Sequence, residues 1–214
     1  MILLENVSYK YDDGILALDG ASIEIKEGER IALIGPNGAG KSTLLTLIAG
    51  LKKQCGGKMK IQGKTGIVFQ DPDDQIFMPR VWDDVAFGPI NQGIPNEQIE
   101  ERVNWALESV GMQGFEERAP HHLSFGERKR VAIAGILAMK PNVLLLDEPT
   151  ANLDPRGVRE LWNLLLGLGG TQIIATHDMG IAAKCDRIII IHKGKAVWSG
   201  TGISKEVLEK YDLA

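Results

Sequence analysis

Eight consecutive residues, Gly35-Pro36-Asn37-Gly38-Ala39-Gly40-Lys41-Ser42, match the pattern G-x-x-x-x-G-K-[ST] in full, and Thr43 extends the turn. A turn of this kind can cradle a chain of phosphates. Its glycines let backbone N–H groups point inward, and a helix N-terminus adds the positive end of its dipole. Lys41 supplies a point charge for the β- and γ-phosphates, and the Ser42 hydroxyl is a ligand for Mg²⁺. Further along, the apolar run Val143-Leu144-Leu145-Leu146 ends in Asp147-Glu148. Two carboxylates at the end of a strand lie where open α/β sheets bind ligands. Neighbours on a strand point opposite ways, so the two acids should have different tasks. Asp147 is placed to hold Mg²⁺ through water, and Glu148 to accept a proton from an attacking water. A chance glycine turn or a solvated strand end would explain either cluster alone. Together they point to ATP and Mg²⁺.

The residues between these clusters must place them. Strands are expected at 2–9, 21–25, 30–34, 58–61, 66–69, 143–146, 172–175 and 187–191, where apolar and β-branched residues run or alternate. Leu44, Leu45, Leu47, Ile48 and Leu51 recur at helical spacing, so a helix should follow the glycine-rich turn directly. From 83 to 112 the apolar spacing is again helical, broken by Pro95, with Asn96 able to cap a second helix. Helices are also expected from about Phe125, after Pro155, and at 205–210. Strands alternating with helices imply an α/β core with a mostly parallel sheet covered on both faces. The expected organisation is a single nucleotide-binding domain over 1–214, with a mostly helical insertion at 71–122.

Composition narrows the function. A net charge of -4 argues against a nucleic-acid partner, because such binding rests on Lys and Arg neutralising phosphates. The longest apolar run, at 131–139, is far too short to span a bilayer, and Glu5 interrupts the N-terminal apolar stretch before it could act as a secretory signal. The two cysteines, Cys55 and Cys185, form no metal-like or CxxC pattern and read as free thiols.

Leu123-Ser124-Phe125-Gly126-Glu127, followed by Arg128-Lys129-Arg130-Val131-Ala132-Ile133-Ala134-Gly135, resembles the signature segment of ABC-type ATPases. Other family motifs follow the family's order. Tyr11 resembles the aromatic that stacks on adenine, and Gln70 the glutamine that senses Mg²⁺. Residues 149–154 resemble the segment ending in Asp154 that contacts a second subunit. His177 resembles the histidine that senses the γ-phosphate. The resemblance implies a fold with a P-loop core, an N-terminal antiparallel β subdomain and a helical insertion. It also implies that Ser124, Gly126 and Glu127 reach the γ-phosphate held by an opposite subunit, in a head-to-tail dimer that is either homomeric or formed with a second ATPase. Glycine is usual between Ser124 and Gly126, and here the residue is Phe125.

Several of these residues also have plain readings. Ser124 with Glu127 forms a capping box, and Asp154-Pro155 a helix start. His121 and His122 read as loop residues, and the Arg128-Lys129-Arg130 cluster as the solvated face of the signature helix.

The stretch Gln70-Asp71-Pro72-Asp73-Asp74-Gln75-Ile76-Phe77, then Asp84-Val85-Ala86-Phe87-Gly88-Pro89, resembles the ATPases of energy-coupling-factor transporters. That resemblance implies an importer of vitamins or of transition-metal ions such as cobalt or nickel. Its partners would be a transmembrane coupling subunit and a substrate-capture membrane protein, with this chain at the cytoplasmic face of the membrane. Ile76, Phe77 and Met78 would form the apolar floor for a membrane partner's helix. The rival is an ABC ATPase in a non-transport process such as metal-cluster assembly. A small-molecule kinase with the same cradle would leave the signature segment unexplained.

Overall fold

Branched aliphatic runs form the strands, and glycine-marked turns separate them. The computed structural model describes residues 1–213. In chain order the elements are β1 (Ile2–Lys10), β2 (Leu16–Ile25), β3 (Arg30–Ile34), α1 (Lys41–Ile48), β4 (Gly56–Ile61), β5 (Thr65–Val68), α2 (Val81–Asn91) and α3 (Asn96–Ser109). They continue with α4 (Phe125–Ala138), β6 (Val143–Asp147), α5 (Pro155–Gly167), β7 (Thr171–Ala175), α6 (Met179–Ala182), β8 (Arg187–His192), β9 (Lys195–Gly200) and α7 (Lys205–Lys210). Short 3₁₀ turns cover Pro72–Asp74 and Pro120–His122, so His121 and His122 sit in a turn.

The chain divides into two compact units. The first comprises 1–67, 142–148 and the residues from 170 onward. It holds two sheets, an antiparallel one in the order β2-β1-β4 and a six-stranded one in the order β5-β6-β7-β3-β8-β9. Strands β6, β7, β3 and β8 pair in parallel, and β9 returns antiparallel. Every residue of β6 and β7 is buried, so both strands read as continuous apolar runs, as strands covered on two faces do. Register places Asp147 opposite Ala175 and Ala175 opposite Leu33. The C-terminal ends of β6, β7 and β3 are therefore level, and the turns that follow them emerge side by side.

The second unit comprises 68–141 and 149–169. Helices α2, α3 and α4 pack on one another. Helix α4 buries Lys129 together with Val131, Ala132, Ile133, Ala134, Ile136, Leu137 and Ala138, which encircle it instead of forming one stripe. Asn96 does not cap α3. Pro95 holds the extended position before the helix, and no side chain caps the first turn, because Asn96 has already entered it.

Candidate functional site

Helix α1 starts at the glycine-rich turn for a steric reason. Gly40 has φ 106°, and a Cβ there would lie 2.5 Å from the Ala17 carbonyl oxygen. Only glycine takes both that backbone and that closeness. Lys41 is the first residue of the helix and is buried; its Nζ donates to the carbonyls of Gly35 at 2.7 Å and Pro36 at 3.1 Å. The ammonium thus folds back over the cradle. Burial lowers its pKa, while the carboxylates of Glu148 and Asp147 pull the other way without cancelling the effect. Ser42, next on the helix, is exposed.

Asp147 is the last residue of β6, and Glu148 lies beyond it at φ 44°. The expectation that both acids sit on the strand is corrected here. The chain turns left-handed at Glu148, whose N–H donates to the Ala175 carbonyl at 2.9 Å. A non-glycine residue in that region carries a modest strain, of the kind that collects at functional sites. The turn brings Glu148 Oε2 to 2.9 Å from Nδ1 of His177, which follows β7. With β6 and β7 level at Asp147 and Ala175, these two residues have to meet. The Glu148 side chain is only 11% exposed, whereas that of His177 is 73% exposed. The pair therefore joins a buried carboxylate to an open surface.

Tyr11 comes to the cradle from β1's end, its hydroxyl 2.8 Å from that of Thr43. Tyr9 packs edge-on against it at 5.1 Å, and the Lys52 ammonium lies over its ring at 4.9 Å. Lys52 was not a sequence candidate, since nothing in its spacing marks it. The first unit therefore gathers Tyr11, Gly35, Pro36, Asn37, Gly38, Ala39, Gly40, Lys41, Ser42, Thr43, Asp147, Glu148 and His177.

The second unit gathers another group. Ser124 caps α4. Its Oγ accepts from the Glu127 N–H at 3.3 Å, and the Ser124 N–H donates to Glu127 Oε2 at 2.7 Å. Hydrogen bonds from the Ser124 side chain and backbone hold the Glu127 carboxyl below its ordinary pKa. Asp154 caps α5, accepting from Gly157 N–H at 2.6 Å. A concavity of about 600 Å³ takes its lining from both starts: Ser124, Phe125, Gly126 and Glu127 on one side, Asn152 and Asp154 on the other. Gln70, also in this unit, is exposed just beyond β5.

The basic cluster is not a solvated face. Lys129 is 1% exposed and donates to the carbonyls of Pro149 at 2.8 Å and Ala151 at 3.2 Å. Arg128 pairs with Asp73 at 2.8 Å, and Arg130 with Glu160 at 2.7 Å. Each cation has a tertiary partner that local spacing does not reveal. In the segment after Gln70, Phe77 is 64% exposed and packs edge-on to Phe87 at 4.9 Å, while Ile76 and Met78 are half-buried. Phe77 and Phe87 line a groove of about 360 Å³ with Gly88 and Met139.

Against this geometry, the family model described as ABC transporter matches residues 18–151. The chain belongs to this family. It is an ABC ATPase, and its fold combines the mostly parallel sheet, the N-terminal antiparallel sheet and the helices. It is 49% identical to the energy-coupling factor transporter ATP-binding protein EcfA of Methanothermobacter thermautotrophicus, over 94% of this chain and 71% of that protein. The cbiO1 protein of Clostridium perfringens, described as part of the ABC transporter complex cbiONQ, superposes with a TM-score of 0.85. It is 42% identical, over 99% of this chain and 94% of that one. The ATP-binding cassette MJ0796, in a dimeric post-hydrolysis state bound to ADP and Pi, gives 0.86 at 30% identity, over 95% and 100% of the two chains. These relatives place the ATPase among the ATP-binding subunits of energy-coupling-factor transporters. Among its described residues, no helix is long and apolar enough to cross a membrane.

Proposed function

We propose that two such ATPase subunits, identical or paired with a second ATPase, close head to tail on two ATP molecules and drive a membrane importer. Each ATP would lie between the cradle of one subunit and the Ser124-to-Glu127 turn of the other. The observation that carries this reading is the contact of Glu148 with His177 at 2.9 Å, in the same unit as the buried Lys41.

Lys41 leaves two carbonyls to meet the β- and γ-phosphates. Glu148 orients a water and accepts its proton as the water attacks phosphorus. His177, held by Glu148 through Nδ1, faces the γ-phosphate and donates to it through Nε2–H when both ring nitrogens carry protons. The backbone N–H groups of the cradle stabilise the charge that develops there. Tyr11 stacks on the adenine. Two hard oxygen donors in the first unit, the Ser42 hydroxyl and the Asp147 carboxylate, would suit Mg²⁺. The ion neutralises charge on the β- and γ-phosphates when bound. Asp154 contacts the opposite subunit.

The importer reading extends to the partners. The helical insertion at 71–122, within one nucleotide-binding domain, would receive a helix of a transmembrane coupling subunit against exposed Phe77 and Phe87. A substrate-capture membrane protein would complete the complex at the cytoplasmic face of the membrane. The cargo would be a vitamin or a transition-metal ion such as cobalt or nickel.

The test is hydrolysis with and without membrane partners. E148Q should bind ATP, lose turnover by about 10²–10⁴-fold and accumulate as a closed dimer. Undiminished turnover in E148Q would remove Glu148 from the chemistry. Wild-type hydrolysis indifferent to the coupling subunit would leave an ATPase without a transport role.

A further inference from the structure

The buried cation Lys129 has no task in the mechanism above, yet it touches both segments that lead into the concave face. Its ammonium donates to the Pro149 and Ala151 carbonyls, which begin the segment leading to Asn152 and Asp154. The same ammonium lies 5.5 Å from the centre of the Phe125 ring, within cation–π range. Lys129 is on the second turn of α4, which is capped by Ser124 and carries Gly126 and Glu127 in its first turn. One side chain thus bonds to the segment before Asp154 and supports the ring at the signature turn. All of these residues lie in the second unit.

A buried charge is costly unless it is fully solvated by protein dipoles. Here carbonyl oxygens and an aromatic face take the place of water, and two adjacent turns are tied to one point. Phe125, standing where glycine is usual, gives the ammonium a cover that a glycine would lack.

We infer that Lys129 is a positioning residue that locks the Ser124-to-Glu127 turn to the 149–154 segment, so that the face offered to a second subunit's ATP is preformed. The inference rests on the head-to-tail reading. Without the lock, a subunit still holds ATP in its own cradle, but the opposing face must be ordered during closure, and closure then needs more ATP.

The experiment places K129M in the E148Q protein, because methionine keeps the length of the stem and removes the donor. ATP-dependent dimerisation is followed by size-exclusion chromatography, and binding to the subunit's own cradle by titration with a fluorescent ATP analogue. E148Q/K129M should need at least about tenfold more ATP to dimerise, with own-site affinity within about twofold of E148Q; a tenfold change corresponds to about 1.4 kcal/mol. F125A should shift dimerisation in the same direction by less. Equal ATP dependence of dimerisation in E148Q and E148Q/K129M would overturn the inference. Loss of own-site affinity in parallel with dimerisation would also overturn it, since that is what general unfolding does. Should the methionine variant not fold, K129Q is judged by the same two readouts. If E148Q itself stays monomeric with saturating ATP, the head-to-tail reading falls first and takes the inference with it.

Discussion

The carboxylate of Asp84 accepts the backbone N–H of Phe77 at 3.0 Å, and the same oxygen accepts that of Met78 at 3.1 Å. A buried acid on α2 thus fixes the backbone beneath the most exposed aromatic of the insertion. Burial raises the Asp84 pKa, and the two N–H donors only partly offset this. A raised native pKa means that the folded chain holds the proton more tightly than the unfolded one. The ionised carboxylate therefore costs stability above that native pKa, and the cost is relieved as pH falls toward the unfolded value. D84N keeps an acceptor oxygen and cannot ionise. Its stability relative to wild type should improve as pH rises from about 4 to 7, measured by denaturant unfolding. A difference that stays flat across that range would contradict the account. D84A leaves both N–H groups without this acceptor and should lose about 1–3 kcal/mol.

Tyr11 separates ring from hydroxyl. Its O–H meets Thr43, while its ring is the proposed surface for the adenine. Y11A should weaken ATP binding by about 1–3 kcal/mol, the size of one base–aromatic stack. Y11F keeps the ring and should stay within about threefold of wild type, a shift of about 0.6 kcal/mol. A nucleotide titration in which both variants lose equally would assign the effect to the hydroxyl.

Gly38 and Gly40 both have positive φ, but they are not equivalent. Beside Gly38 a Cβ would meet nothing within 4 Å, whereas beside Gly40 it would press on the Ala17 carbonyl. G38A should cost about 1–2 kcal/mol of backbone strain and still fold. G40A should cost clearly more and abolish ATP binding, as read by thermal melts with and without nucleotide.

The cysteines differ in reach. Burial pushes the Cys185 thiol up to about 12, and its Sγ lies 3.6 Å from the Ile181 carbonyl, whereas Cys55 is exposed. Only the thiolate alkylates, so at mild alkaline pH the folded chain should take up one iodoacetamide and the denatured chain two, counted by mass. Labelling of folded C55S would show that Cys185 opens locally.

Much of the site was readable because its determinants are local. The cradle is one uninterrupted turn, and its glycines, lysine and serine carry their roles in their own backbone and side-chain chemistry. The capping box at Ser124 and Glu127 is equally local, and α4 begins at Phe125 where that pattern puts it. The aliphatic run into Asp147 marks a covered strand because nothing in it interrupts burial.

What the residues could not announce is which distant segments become neighbours. Glu148 and His177 meet because β6 and β7 pair with Asp147 opposite Ala175, and because the chain turns left-handed at Glu148. Lys129 lies between two arginines and looks, by spacing, like part of a charged surface. Its burial is decided by the 149–151 carbonyls that fold onto it. Short-range pattern thus determined the cradle, the acids and the helix starts at Lys41, Phe125 and Pro155, and the resemblance of the motifs determined the family. Tertiary structure alone decided the Glu148–His177 contact and the burial of Lys129, because strand register and the solvation of a buried charge depend on groups far away in the chain.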